Sequence, residues 1–380
     1  MSRVITDIAE PIRADDGVVV TTELLERVGD RILEAFPRYY PASPFDRAHA
    51  TIRLDRLGET SSYPLFAATV VPGTAGTPRE LIVKFAPVFS ENNEGLTEYR
   101  HLLTMHERLG NASAIRVPRP LDFYEDVNAL VMEKVGGERF SRVLLRDGGR
   151  FAPPEAATRL RDAARRCGGW LAAYHDATRH ADAAPFDDTF VARIDEKLAA
   201  FGALGFAPSA ARTVAATVRR LHEFGVSRRV PVADQHGDYG PQNAHVGDGF
   251  VYVFDLNYHV AAPVYDDIDY FLVTLETMNP YPRQWFLDRG RVAAMRTPFL
   301  EGYFAGAAAD PARDVYLEGY YIKSLLFRCA KQRRNTTRRG RAALALFDAL
   351  RLRGYYARRL VGQCRRAEER MAAMPGGGAR

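Results

Sequence analysis

The chain has 380 residues, of which 47% are hydrophobic, 26% charged and 11% aromatic, with a formal net charge of +5. This length and balance suit a folded protein of one or two lobes and exclude a fibrous or intrinsically disordered chain. The first residues carry carboxylates where a signal peptide has its apolar core, and no apolar run of about 18 residues occurs, so a cytoplasmic protein, neither secreted nor membrane-spanning, is expected.

Residues 1–45 hold a helical pattern, Leu24-Leu25 through Ile32-Leu33 and Phe36, which Pro37 and Pro41 should end; they read as a partly helical N-terminal extension. From Thr51 the period becomes that of strands: Thr51 to Leu57, Leu65 to Val71 and Leu81 to Ala86. With Gly, Ser, Thr and Pro between them and no intervening helix, they predict an antiparallel sheet. Leu96, Tyr99, Leu102, Leu103 and Met105 recur at helical spacing and predict a helix over Glu94 to Leu109. Strands at Leu121 to Tyr124 and Ala129 to Glu133 precede a break at Gly136-Gly137. Beyond it helices dominate, at Ala156 to Asp176, Ala210 to Phe224, Leu317 to Gln332 and Ala342 to Arg370, around a short strand at Phe250 to Leu256. The expected fold class is α+β in two lobes, a small antiparallel-sheet lobe over 46–135 and a larger, mainly helical lobe over 136–371, with a disordered Gly-rich tail over 372–380. Cys167, Cys329 and Cys364 have no CxxC or Cys/His grouping and suit reduced thiols.

One string in the helical half carries chemistry: His236-Gly237-Asp238-Tyr239-Gly240-Pro241-Gln242-Asn243, followed by Asp255 at the end of the Phe250 to Phe254 run. Singly, Asp and Asn are ordinary turn and cap residues. Jointly they supply parts that phosphoryl transfer needs, a carboxylate to orient a hydroxyl and accept its proton and oxygen ligands for magnesium, in a spacing that resembles the protein-kinase catalytic loop. Upstream, Lys84 interrupts the apolar strand Leu81-Ile82-Val83-Lys84-Phe85-Ala86. An ammonium buried there without a partner is costly; an edge-strand lysine facing solvent is the plainer alternative.

The His236 to Asn243 string resembles the HGDxxxxN loop of the aminoglycoside phosphotransferase and choline kinase families, and the similarity in order and spacing runs from about Thr51 to Phe271. The resemblance implies a two-lobed protein-kinase-like fold. It also implies an ATP- or GTP-dependent, Mg2+-assisted transfer of the γ-phosphoryl group to a hydroxyl of a small molecule. Asp238 would be the base, Asn243 and Asp255 the magnesium ligands, and His236 a support of the loop. Lys84 would contact the nucleotide phosphates and pair with Glu98 of the next helix, with Glu94 as the competing glutamate. Ser61 and Ser62 would face phosphate from a connection that a plain hairpin turn also explains. Glu133 and Val135 would offer backbone groups to the adenine edge, with Met132 as a pocket wall. Asp266, with Asp267 close behind, would brace the catalytic loop, and His175 would pack or support it. The chain departs from the family at Asp255-Leu256-Asn257, where Phe-Gly or a similar small residue usually follows the metal ligand.

The acceptor is less legible. Basic residues crowd toward the C-terminus, among them Arg328, Lys331, Arg333, Arg334, Arg338 and Arg339. This favours a neutral or anionic acceptor, a sugar or sugar-containing metabolite, over a polycationic aminoglycoside. The same charge suits peripheral contact with an anionic glycan, lipid or membrane surface, or a solvated helix face. Nucleic acid is not expected, because no nucleic-acid motif accompanies the charge. An aminoglycoside-type antibiotic kinase and a catalytically inactive kinase-like nucleotide-binding protein are the competing functions. The inactive one should lack Lys84, Asp238, Asn243 or Asp255, and all four are present.

Overall fold

Alternation organises the first part of the chain: Ile52 and Leu54, then Phe66, Ala68 and Val70, then Leu81, Val83 and Phe85 are buried at every second position, as strands with one face on a core require. The computed structural model describes residues 4–6, 10–13, 19–57, 63–74, 76–86, 94–109, 114–203, 207–256, 260–277, 286–338 and 353–374. Ser61, Ser62, Asn257, Arg339, the first part of the helix expected from Ala342 and the tail from Pro375 lie outside the described residues. In chain order the elements begin β1 (Val4–Thr6), β2 (Ile12–Arg13), β3 (Val19–Val20), α1 (Thr22–Tyr39), β4 (Thr51–Arg56), β5 (Leu65–Val71), β6 (Arg79–Phe85), α2 (Glu94–Leu109), β7 (Ile115–Arg116), β8 (Pro120–Tyr124) and β9 (Ala129–Glu133). They continue with β10 (Glu138–Arg139), α3 (Phe140–Asp147), α4 (Pro154–Ala177), β11 (Arg179–Ala183), α5 (Asp188–Ala203), α6 (Pro208–Gly225), β12 (Val230–Asp234), β13 (Ala244–Gly247), β14 (Phe250–Val253), β15 (Ala261–Pro263), α7 (Tyr265–Thr277), α8 (Arg289–Ala293), α9 (Arg296–Tyr303), α10 (Arg313–Arg338) and α11 (Arg353–Ala372).

The chain divides into two compact units, Met1–Gly137 with Gly247–Asn257, and Glu138–Val246 with Tyr258–Arg380. The first contains a six-stranded sheet in the order β1-β4-β5-β6-β9-β8. All its pairs are antiparallel except β1 with β4. Leu25, Val28, Ile32 and Phe36 of α1 belong to the same buried cluster as Ile52, Phe66, Val83 and Val131. The N-terminal segment is thus part of this unit's core. α1 also runs through Pro37 to Tyr39 instead of stopping at the proline. In the last turn a proline forfeits one hydrogen bond, and the Tyr40 amide closes the helix on Phe36 O at 3.0 Å. Because strand side chains alternate, Lys84 points away from the face that Val83 and Phe85 share with α1 and toward α2.

Helices make up most of the second unit. Facing glycines let α4 and α9 touch: a Cβ on Gly168 would lie 2.0 Å from Phe299 O, and one on Gly302 2.0 Å from Arg165 O, so no larger residue fits either position. α10 packs against α7, α5 and α11. A small antiparallel sheet in the order β11-β12-β15 carries the His236 to Asn243 loop at the end of its central strand. Among the described residues no helix is long and apolar enough to cross a membrane.

Candidate active site

β12 delivers the chain to the loop, and buried Gln235 fixes its exit. The Gln235 amide donates to Val260 O at 3.0 Å, and its Nε2 donates to Ala233 O at 3.0 Å and Ala262 O at 2.9 Å. Gly237 follows at φ +75°, a left-handed conformation that disfavours a side chain. One face of α7 then holds the loop residue by residue. Asp267 accepts the amides of His236 at 2.6 Å and Gly237 at 3.0 Å, Tyr270 donates its hydroxyl to Asp238, and Phe271 stacks on Tyr239 with centroids 5.0 Å apart. Positions i, i+3 and i+4 share a helix face, so this cradle follows from the phase of α7. Tyr239 is also stacked on Trp170 at 5.6 Å and donates to Cys167 O at 2.7 Å. With Tyr239 pinned in the core, the adjacent Asp238 side chain faces outward and is 47% exposed. Asn243 folds back on the same residue, its Nδ2 donating to Asp238 O at 3.0 Å.

The residue that braces the loop is Asp267, which corrects the expectation for Asp266. Asp267 is 1% exposed, and His175 at the end of α4 places Nε2 3.3 Å from its Oδ2 and Nδ1 2.8 Å from the Tyr303 hydroxyl. Burial pushes the Asp267 carboxyl up, but the His175 hydrogen bond and charge, with His236, outweigh it and hold the group below the usual carboxylate range. Asp266 is rotated about 100° around the helix from its neighbour and pairs with Lys323 of α10.

Two further groups reach Asp238 without any motif to announce them. Besides Tyr270, Lys331 of α10 places Nζ 3.2 Å from Asp238 Oδ1 and 3.4 Å from the Tyr270 hydroxyl. Burial, and then the Asp238 charge, push the Tyr270 phenol well up, so that it remains a protonated donor. A pocket of about 140 Å³ opens beside the loop, with Gly237, Tyr270, Arg193, Lys323 and Phe327 in its wall.

Lys84, Glu98, Asp255 and the Met132 to Val135 connector lie in the first unit. Lys84 is 4% exposed, which rules out a solvent-facing edge lysine; its Nζ lies 2.7 Å from Glu98 Oε2 and 2.6 Å from Asp255 Oδ1. Burial opposes the ammonium charge, but Asp255 and Glu98 more than offset it, so the pKa is raised and the lysine stays charged at neutral pH. Of the two glutamates, Glu98 is therefore the partner. Glu94 instead accepts the Tyr63 hydroxyl at 3.1 Å, and the Tyr63 ring centroid lies 5.1 Å from Lys84 Nζ. Asp255 adopts φ +63°, uncommon outside glycine. That turn after β14 brings its carboxylate to Lys84 while leaving 42% of the side chain exposed. Met132 is buried in β9. The Glu133 amide is committed to Arg119 O at 2.9 Å and the Lys134 amide to Glu80 O at 3.1 Å.

Asn243, whose Nδ2 is engaged by Asp238 O, presents an amide oxygen, and Asp255 presents a partly exposed carboxylate. Among the described residues no group of three or more His, Cys, Asp or Glu is placed to hold a metal unaided. Magnesium needs none: it takes one or two carboxylates and completes its shell with phosphate oxygens and water. Asn243 in the second unit and Asp255 in the first each offer an oxygen of the kind that ion takes.

Residues 69–315, more than half of the chain, match the model of APH, the phosphotransferase enzyme family. No curated protein sequence matches the chain. Among solved structures, glucosamine kinase in complex with glucosamine, ADP and inorganic phosphate is similar at 15% identity and a TM-score of 0.53, over 94% of this chain and 85% of that one. A choline/ethanolamine kinase family protein from Mesorhizobium loti gives 15% identity and a TM-score of 0.47, over 85% of this chain and 89% of that one. A thermostable mutant of aminoglycoside phosphotransferase APH(4)-Ia, with AMP-PNP and hygromycin B, gives 13% and 0.48, over 90% and 99%. The likeness to glucosamine kinase establishes the fold as the two-lobed protein-kinase-like one, α+β, with a sheet-bearing unit and a mainly helical unit.

Proposed function

The chain belongs to the phosphotransferase enzyme family, and from that premise we propose that it moves the γ-phosphoryl group of ATP or GTP to a hydroxyl of a sugar or sugar-containing metabolite. One observation carries the reading: Asp238 is an outward-facing carboxylate on a backbone held from behind by α7, with Tyr270 linking it to the wall of a pocket. A general base needs a fixed position within hydrogen-bond reach of the proton it takes.

Asp238 orients the acceptor hydroxyl and receives its proton as the new O–P bond forms; the bond from the γ-phosphorus to its bridging oxygen breaks, and the nucleoside diphosphate leaves. Lys84, kept charged by Glu98 and Asp255, meets the nucleotide phosphates, and Ser61 and Ser62 add hydroxyls there. Met132 walls the base. The Glu133 carbonyl and Val135 amide are its backbone partners, since the Glu133 amide is taken by Arg119. Asn243 and Asp255 would hold magnesium, which when bound supplies charge neutralisation on the phosphates. A similar fold known with glucosamine and ADP supports a sugar acceptor and an adenine nucleotide donor. Buried cysteines that form no disulfide support a cytoplasmic setting.

The test is thermal stabilisation by ATP and GTP with and without magnesium, followed by nucleoside diphosphate release over a panel of sugars. Saturating magnesium nucleotide at a hundred times its Kd should stabilise the chain by about 2.7 kcal/mol, and release should depend on an acceptor. No stabilisation by either nucleotide would sink the proposal.

A further inference from the structure

The pocket beside Asp238 is formally balanced and locally unbalanced. Its wall carries two cations, Arg193 and Lys323, and two carboxylates, Asp266 and Asp267. Both carboxylates are already committed. Asp267 accepts the His236 and Gly237 amides and faces His175, while Asp266 and buried Lys323 neutralise each other. Arg193, half-buried on α5, makes no hydrogen bond or ion pair among the described residues. A guanidinium partly removed from water is best matched by a planar carboxylate or a phosphate that accepts two parallel N–H bonds. An ammonium would find like charge there and no uncommitted carboxylate in the described wall. Val260, Ala262 and Phe327 add apolar surface. The volume, about 140 Å³, is below the roughly 300–1,000 Å³ of sites for drug-sized ligands and suits the recognised end of a small metabolite.

We propose that the acceptor is a hydroxylated acid, a sugar bearing one carboxylate or phosphate, whose anion is received by Arg193 while a hydroxyl reaches Asp238. This rests on the phosphotransferase reading above and names the substrate class of the same site. It narrows the acceptor from neutral or anionic to anionic, and makes Arg193 the specificity determinant.

The experiment is calorimetric titration of the full chain, saturated with magnesium AMP-PNP, by four matched pyranoses: glucuronate, glucose 6-phosphate, glucose and glucosamine. At least one anion should bind tenfold or more tightly than glucose, with glucosamine weakest, and the better anion distinguishes carboxylate from phosphate. Arg193→Gln should remove that advantage, and Arg193→Glu should reverse it toward glucosamine. The proposal is overturned if glucose or glucosamine binds as tightly as both anions, if none of the four binds, or if the anion advantage survives in Arg193→Gln. Stabilisation by magnesium AMP-PNP reports that each variant is folded. Its absence in the unaltered chain would overturn the phosphotransferase reading and this proposal with it, whereas its presence with a wrong acceptor order overturns the proposal alone.

Discussion

Lys84 and Asp238 are opposite charges of the proposed mechanism, and their surroundings are opposite too. Lys84 is sealed within its unit at 4% exposure and clamped by Glu98 and Asp255. Asp238 has 47% of its side chain exposed and is touched from one side by Tyr270 and Lys331. The difference follows from what each group does in the reaction. A cation that keeps one charge state can be buried, provided its partners are buried or near with it. A base that must receive a hydroxyl and a proton needs open space in front, so its rigidity comes from the backbone behind it.

The largest expected effect tests the open side of that comparison. Asp238→Asn should lower kcat by about a thousandfold, within the usual range for a lost general base, while nucleotide affinity and urea stability stay near those of the unaltered chain. Steady-state kinetics retaining most of the turnover would remove Asp238 from the role. Lys84→Met should behave in the reverse sense. It leaves Glu98 buried without its counter-charge, a loss of about 3 kcal/mol in urea unfolding, and weakens nucleotide binding. If the two variants showed the same division between stability and turnover, the contrast between sealed and open charges would be wrong.

Asp267 comes next, since it is the buried charge that serves the open one. Its folded pKa is depressed by His175 and the loop amides against the pull of burial. The sign is therefore that of a stabilising carboxylate: its contribution is present above the unfolded value of about 3.9 and is lost as pH falls through the lower folded value. Asp267→Asn should cut activity about tenfold through a loosened loop, by analogy with the loss of a hydrogen bond to a charged group. It should also flatten the fall of stability below about pH 4. An acid limb of unchanged steepness in chemical denaturation would count against the assignment.

How much of this is legible in the sequence depends on the kind of signal. β5 and α2 can be read to the residue, because burial on one face imposes a period of 2 or 3.6, and β9 as a short continuous apolar run buried on both faces. Lys84 is legible as an anomaly, a charge inside the otherwise apolar run Leu81 to Ala86. β1 is too short to show a period and is defined by pairing with the distant β4. Asp266 and Asp267 are adjacent, so spacing from the motif cannot choose between them; the phase of α7 can, and the i, i+3, i+4 set of Asp267, Tyr270 and Phe271 was the available clue. Arg193 and Lys331 look like ordinary charges on helices until α5 and α10 turn them toward the pocket and toward Asp238.

The smallest effects separate Tyr270 from Lys331 as donors to Asp238 Oδ1. Tyr270 is half-buried and donates to a charged acceptor, a bond whose loss costs about 1.5–3 kcal/mol, so Tyr270→Phe should lower kcat by tenfold or somewhat more as the carboxylate loses its orientation. Lys331 is exposed, and an exposed ion pair contributes about 0–1 kcal/mol, so Lys331→Ala should change kcat by no more than about fivefold. Because the two side chains also meet each other at 3.4 Å, their double variant should fall short of additivity by about 0.5 kcal/mol or more. A Lys331→Ala loss larger than that of Tyr270→Phe would change its meaning. Lys331 would then be stabilising charge that develops during transfer, and the exposed side of Asp238 would be as fully engaged as the sealed side of Lys84.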